Sequence, residues 1–507
     1  MVFLFVCLIL AVVVWLYFKF NPLKHGSWFM MRRFINWFPL GMSYAFLYLA
    51  RFNVIASQQP LSMSNKDFGF IFGGGSLVYA LSLLFFVGFV VDRIGGRKGI
   101  MISTFGTGIT EAILGYICYL WLVDKPAADM TLYFGIAYAV NMFFQSFGAV
   151  SIIKVKAYWF HVRERGVFGA IFGTLISLGV YLGFDWNSSI VRAAEVQPKN
   201  PTFLHSVFVS LFHVQAGHVT AVWLVYFLPA AFLIGWGIID YFLIKDLPSE
   251  TGLEDFDTAD ASSGEMHKEF TVGDLVKRVF LNPIMLMIGL AELFEGFVRN
   301  SIVQWYKPFI EQMHLIADAQ FYYHHLGFLL MLSGIIGGFA GGYISDKYYQ
   351  SRRFPPTAMA FALAIFSLII MAVYLFKDQP LVGACVVAIN LFTIAVTALM
   401  SGTAASDFGG RKATATAAGV TDAFVYFGGA IESFCIPVVI KHSWVYWPLF
   451  LIPFAIFGLI ISIKMLNYLP EATRRYILTV EKISIGGPGG SAEMTTASLK
   501  VDDVTTP

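Results

Sequence analysis

The chain has 507 residues, 57% of them hydrophobic and only 13% charged, with a mean hydropathy of +0.70. Soluble domains carry about 25% charged residues, so this composition excludes a soluble enzyme and leaves little material for any soluble domain. A net charge of +2 gives no argument for a nucleic-acid partner; the informative feature is how the charges are sided.

A helix needs about 20 apolar residues to cross the hydrocarbon core. In chain order, thirteen stretches qualify: 2–20, 34–57, 68–91, 99–123, 130–153, 167–185, 220–244, 283–305, 321–345, 356–376, 380–404, 413–440 and 444–466. The first has two readings. A signal peptide would carry a basic n-region and a small-x-small cleavage site, and neither is clear, so we read a retained extra helix. Lys19, Lys24, Arg32 and Arg33 follow it, which places its N-terminus outside and its far end in the cytoplasm.

The other twelve spans then begin and end inside. Of 34 Lys and Arg, 25 fall on the inner side and 7 on the outer, with Lys66, Lys125, Lys307, Lys377 and Lys441 among the external ones. This asymmetry fixes the orientation. Residues 186–218 form a long external loop whose segment Thr202 to Gln215 is apolar on one face, suited to lie along the membrane surface. The division is 1–33 (extra helix and link), 34–245 and 280–470 (two six-helix halves), 246–279 (an acidic cytoplasmic link) and 471–507 (a Gly/Ser/Thr-rich, disordered tail). The four cysteines lie singly in apolar spans, and the histidines have no metal-pair spacing. No cofactor motif and no nucleophile triad is present.

Two cations, Arg51 and Arg299, fall inside apolar spans. There a cation costs roughly 2.5–3.5 kcal/mol on insertion scales and needs an acid, a wet cavity or an anionic ligand. Each lies in the first helix of one half. A similar loop follows each: Asp92-Arg93-Ile94-Gly95-Gly96-Arg97-Lys98, and Gly342-Tyr343-Ile344-Ser345-Asp346-Lys347. A guanidinium stays charged anywhere and grips a phosphoryl group through two bonds. Two facing guanidinium groups repel until a dianion lies between them, so one buried arginine per half points to a carrier of an anion. The alternative pairs Arg51 with Glu111, and Arg299 with Glu292 or Glu295. Tyr44 and Tyr48 share the helical face of Arg51. Glu111, Glu292, Glu295, Asp422 and Glu432 are acids within spans, candidates for proton coupling or ion pairing.

The Asp92–Lys98 loop resembles the signature loop of the major facilitator superfamily, with Asp92, Arg93 and Arg97 matching and Asp346 as the second-half counterpart. A narrower resemblance, over about 34–470, is to the organophosphate:phosphate antiporters, which include glycerol-3-phosphate and hexose-phosphate transporters. It rests on Tyr48-Leu-Ala-Arg51-Phe-Asn53, on Gln145 with Trp159-Phe-His-Val-Arg-Glu164-Arg165-Gly166, and on Asp246-Leu-Pro248. It rests further on Arg299 with Gln304-Trp305, and on Arg411-Lys412 with Tyr426-Phe-Gly-Gly429. The resemblance implies an all-α membrane protein with two six-helix halves, plus the extra N-terminal helix. It implies a monomer and alternating access around a phosphate held by Arg51 and Arg299. Tyr79 and Tyr426 fall at or near site tyrosines, although Tyr79 is one residue out of register with Asp92, and together with Tyr44 and Tyr48 they fill out the expected pocket. Asp92, Arg93, Arg97, Glu164, Arg165 and Asp346 correspond to loops that switch conformation.

The chain departs from the family in two places. The lysine after the first arginine is Phe52, and a fifth-helix histidine is Ile176. Positive and titratable character is lost, which suggests an altered substrate or altered coupling, with exchange for phosphate and cotransport of protons as the two alternatives. The expected activity is secondary transport of a phosphorylated organic anion across a bacterial inner membrane. The alternative is a transport-like sensor that signals to a partner protein.

Overall fold

A computed structural model describes residues 2–124, 129–161, 164–198, 201–214, 219–258, 281–349, 352–404 and 414–468. Thirteen long helices organise it: α1 (Val2–Lys19), α2 (Ser27–Arg51), α3 (Asn65–Ile94), α4 (Gly96–Asp124), α5 (Met130–Trp159) and α6 (Arg165–Tyr181, continuing through Leu182–Trp186 into Asn187–Ala193). They continue with α7 (Leu224–Leu243), α8 (Pro283–Gln312), α9 (Leu326–Tyr348), α10 (Phe354–Tyr374), α11 (Gln379–Ala404), α12 (Thr414–Val439) and α13 (Tyr446–Lys464). All thirteen expected spans are therefore helical. Ten meet the length and composition of a membrane span. The helices of Arg51 and Arg299 fall short because they carry too many polar residues, the mark of a site held inside apolar walls.

Helices α2–α7 and α8–α13 form the two six-helix halves, and the halves meet through α3 on α12 and α6 on α9. Small residues let the first pair approach backbone to backbone. A Cβ on Gly69 would lie 2.4 Å from the Ser433 carbonyl oxygen, and one on Gly88 would lie 2.7 Å from the Thr416 Cα. The extra helix α1 lies against α6. Its Phe3 and Phe5 rings reach Trp186 and, in the second half, Phe328.

Hydrogen bonds join the halves at both ends of the interface. At the end that carries the signature loop, called here the basic end, Asp92 crosses to the N-terminus of α12. Its carboxylate accepts from Thr416 Oγ1 (2.7 Å) and the Thr416 amide (3.0 Å), and it pairs with Lys154 Nζ at 2.8 Å. At the opposite end Asp185 crosses to the N-terminus of α9, accepting from the Gly327 and Phe328 amides at 2.9 and 3.2 Å. Each carboxylate thus faces the positive end of a helix dipole in the other half. Beside Asp185, Lys307 donates to Ser188 (2.5 Å), and Gln312 donates to Asn65 Oδ1 (2.6 Å).

The other loop residues divide. Arg97 donates its amide to Asp246 Oδ1 (2.8 Å) and its side chain to the Tyr241 carbonyl (2.6 Å), tying the start of the central link to α4. Between them Gly95 turns at a φ of +89° with Asp246 packed against it, so a side chain there would be strained and obstructed. Burial pushes the Asp246 carboxyl up from its usual range. Arg93 is exposed. Asp346 pairs with Arg353 of its own half at 2.7 Å. Glu164 forms a bidentate pair with Arg33 at 2.9 and 3.0 Å, and Tyr17 of α1 accepts from Arg33 Nε (3.0 Å), which locks the extra helix to the basic end.

Several expectations need correction. Arg51 and Arg299 are not alone as cations within long helices. Arg33, Lys154 and Lys307 are buried in α2, α5 and α8, because these helices outrun their apolar windows and each cation finds a polar partner. Lys307 is therefore a helix residue and not an external loop cation. In the expected surface segment, Phe203–Phe212 is a short helix capped by Thr202, and Gln215 lies outside the described residues. So do the link from 259 to 279, Arg411, Lys412 and the tail. Arg165 opens α6, and its side chain is not among those described.

Candidate functional site

Arg51 closes α2 at mid-depth, buried to 3% exposure. Its Nε donates to Gln145 Oε1 at 2.9 Å, its Nη1 bonds the Tyr426 hydroxyl from the other half, and Tyr138 caps the Arg51 carbonyl at 3.1 Å. Three aromatic faces surround the guanidinium: Tyr48, Tyr79 and Tyr426 at 4.6, 5.0 and 5.3 Å. Such faces stabilise a desolvated cation by up to about 2 kcal/mol. Nη2 meets no acceptor at regular geometry among the described residues, although it is buried. The Tyr79 hydroxyl, likewise buried, is its polar neighbour.

Tyr44 lies one layer deeper, its ring 5.3 Å from Tyr48. Tyr79 belongs fully to the cluster, its ring 3.9 Å from that of Tyr426. Its one-residue register offset has a cause. Between Tyr79 and Asp92 the helix widens into a π-helical stretch, Leu83–Val87, and such a stretch absorbs an extra residue in its turn.

Arg299 lies on α8 across the interface, its side chain 16% exposed, within electrostatic range of Tyr48 and Tyr426. Its Nε donates to Glu295 Oε1 at 2.6 Å. The expected alternative of acid pairing thus holds for Arg299 and fails for Arg51. Glu111 is engaged elsewhere, accepting from Asn53 (2.5 Å) and Asn141 (2.8 Å). Asp422 accepts from Ser401 at 2.9 Å and interacts with both arginines. Glu292, one turn before Glu295, is fully buried; neither oxygen has a partner at regular hydrogen-bond geometry among the described residues, and the Ser401 backbone is its polar neighbour. Glu432 stands apart, bonded to Trp305 (3.2 Å) and Ser433 (2.9 Å).

One part of the site was not expected from sequence. A relay of amides runs from Arg51 through Gln145 to Asn141 (2.6 Å) and on to Glu111. It orients the guanidinium as an outer shell orients a ligand. Asn141 and Gln145 are four residues apart on one face of α5, within its membrane-spanning stretch, which is the signal that would have found them. Asn300, beside Arg299, also packs against Gly429 of α12.

Comparison with known proteins agrees with this architecture. A solved bacterial homologue of the human lysosomal transporter Spinster, in an inward-facing and unoccupied conformation, superposes with a TM-score of 0.62 at 13% identity, covering 89% of this chain and 98% of that one. The glycerol-3-phosphate transporter of Bacillus subtilis is 25% identical, over 80% of this chain and 85% of its own. The membrane sensor protein UhpC of Salmonella typhimurium is 25% identical, over 85% and 89%. The model of the Major Facilitator Superfamily matches residues 34–184 and 202–433, and the chain is a multi-pass membrane protein that belongs to this superfamily.

Proposed function

We propose that the protein is a secondary active transporter of a phosphorylated organic anion, of the glycerol-3-phosphate or sugar-phosphate class. It works by alternating access, in exchange for phosphate or coupled to protons. The observation that carries this reading is Arg51: a buried guanidinium, ringed by tyrosines at the junction of the halves, with one nitrogen free of regular partners. Arg299 supplies the second cation. A phosphoryl group offers enough oxygens to engage both guanidinium groups and neighbouring tyrosine hydroxyls. Binding it would draw the halves together, with Asp92 and Asp185 as alternate gates.

The same reading places the basic end in the cytoplasm, the N-terminus of α1 outside and the C-terminus inside. It takes the membrane to be a bacterial inner membrane, the working unit to be a monomer, and the halves to divide at 34–245 and 280–470. A second reading, a sensor of the same ligand, is favoured by the likeness to a protein named as a membrane sensor. Uptake into proteoliposomes separates the two.

The test is thermal stability of the purified chain across phosphates, sugar phosphates, phosphonates and carboxylates, in wild type, Arg51→Lys and Arg299→Lys. A ligand that binds only the folded state raises its stability by mass action. Stabilisation by a phosphorylated compound that is lost in both variants is the expected result. A response untouched by both changes makes the arginines structural.

A further inference from the structure

Arg299 is already engaged. Its guanidinium holds Glu295 at 2.6 Å one turn earlier on α8, and Glu295 is fully buried. Glu292 lies on the same helix with no hydrogen bond of regular geometry among the described residues, and Asp422 approaches from α12. Among the described residues, the surrounding elements add no compensating cation except Arg51. Helix α11 carries no charged residue and contributes the hydroxyls of Ser401 and Thr397. Helix α12 contributes Asp422, Tyr426 and Glu432, the last turned away to Trp305. Helix α13 bears titratable side chains only at its ends, Tyr446 and Lys464, and the short helix Asn53–Ser57 has none. From α2, Tyr48 faces the cluster. Glu295 thus holds the Arg299 guanidinium directly, while two further buried carboxyl groups, Glu292 and Asp422, lie within its electrostatic range. Full ionisation there would leave uncompensated buried charge, which is strongly unfavourable.

We propose that Glu295 is a proton-binding site that alternates with the substrate for Arg299. An entering phosphoryl anion takes the guanidinium from Glu295. The Glu295 carboxylate, left beside that anion, accepts a proton from water at the open face and becomes a neutral carboxylic acid. One ion pair breaks and one forms, and the proton travels with the anion. When the anion leaves, Glu295 gives up the proton and regains Arg299. With Glu292 held neutral by its burial, the Asp422 carboxylate keeps the local field negative, so that a lone anion is opposed and an anion with a proton is accepted. This inference rests on the proposed phosphoryl site.

The experiment is calorimetric titration of the full-length purified chain with glycerol-3-phosphate at pH 8, in two buffers that differ in ionisation enthalpy. At this pH a phosphate monoester, with its second pKa near 6, is already a dianion and brings almost no proton of its own. Wild type should take up about one proton per anion bound, and its affinity should fall about tenfold per pH unit. Glu295→Gln should bind without that proton and with an affinity independent of pH. Binding with nil uptake in wild type, or with equal uptake in both proteins, overturns the proton site and leaves the anion site standing. No binding by wild type of glycerol-3-phosphate or of the phosphorylated panel overturns both. The wild-type proton count decides on its own if Glu295→Gln does not fold.

Discussion

Asp92→Ala is the substitution that should separate the halves at one end only. The residue holds α12 through two bonds to Thr416, and the Lys154 ammonium neutralises it from its own half. A hydrogen bond to a charged group contributes about 1.5–3 kcal/mol. At the lower figure the pair is worth about 3 kcal/mol, or roughly 150-fold in the ratio of closed to open at the basic end. Hydrogen exchange read by mass spectrometry reports this directly, because amides at an interface exchange through the open population. Exchange over 415–420 at the start of α12 should rise by about two orders of magnitude in Asp92→Ala. Exchange over 326–331 at the start of α9, held by Asp185 at the other end, should stay the same or slow. Asp185→Ala should give the mirror result. Unchanged exchange at 415–420, or an equal rise at both ends, would refute the reasoning.

Gly88→Val should act as a wedge at the same end, since its Cβ would meet Thr416 Cα at 2.7 Å, whereas Gly74→Val, with open space around it, should change nothing in the same exchange measurement. Removing one member of the buried Arg33–Glu164 pair should cost about 3–5 kcal/mol of stability, because the other charge is stranded; a double replacement by methionine should cost less, measured by detergent unfolding. Arg51→Lys should weaken binding of a phosphorylated ligand about 10- to 100-fold through loss of one charged contact, read from the ligand-induced thermal shift. His25, on the link between α1 and α2, has its pKa lowered by burial and then by Arg33. Its folded pKa lies below the unfolded value near 6.5, so the folded state prefers the neutral ring and loses stability as pH falls through that range. His25→Phe should therefore narrow the stability difference between pH 7.5 and pH 5.5, measured as thermal midpoints; an unchanged difference would dismiss the site.

The fold was legible because a bilayer allows few solutions. Each span must satisfy its own backbone, so apolar length reads out as helix. Arg51 and Arg299 were legible for the same reason, since a cation in such a segment has to be explained. What escaped was set by contacts between helices. The amides Asn141 and Gln145 carry no charge and look like packing until Arg51 arrives from another helix. Tyr79 looked out of register because residue counting assumes a uniform helix, and the wide turn at Leu83–Val87 breaks that assumption. Lys307 looked like a loop residue because hydropathy falls before the helix ends. Its partner Ser188 lies far away in sequence.

Bonds between the halves at both ends would also make the protein, in the proposed transport cycle, an electrical insulator. The arginines and acids at mid-depth would line a conducting path if both ends opened together, and every elementary charge that crossed 100 mV would dissipate about 2.3 kcal/mol of the membrane's stored energy. Asp92 and Asp185 stand at opposite ends of different helix pairs, each holding a helix terminus of the other half. In the proposed alternating-access cycle, a tilt that released one would press the other home. The cell's voltage would then be guarded by geometry, through two carboxylates that a single rocking motion could not release at once.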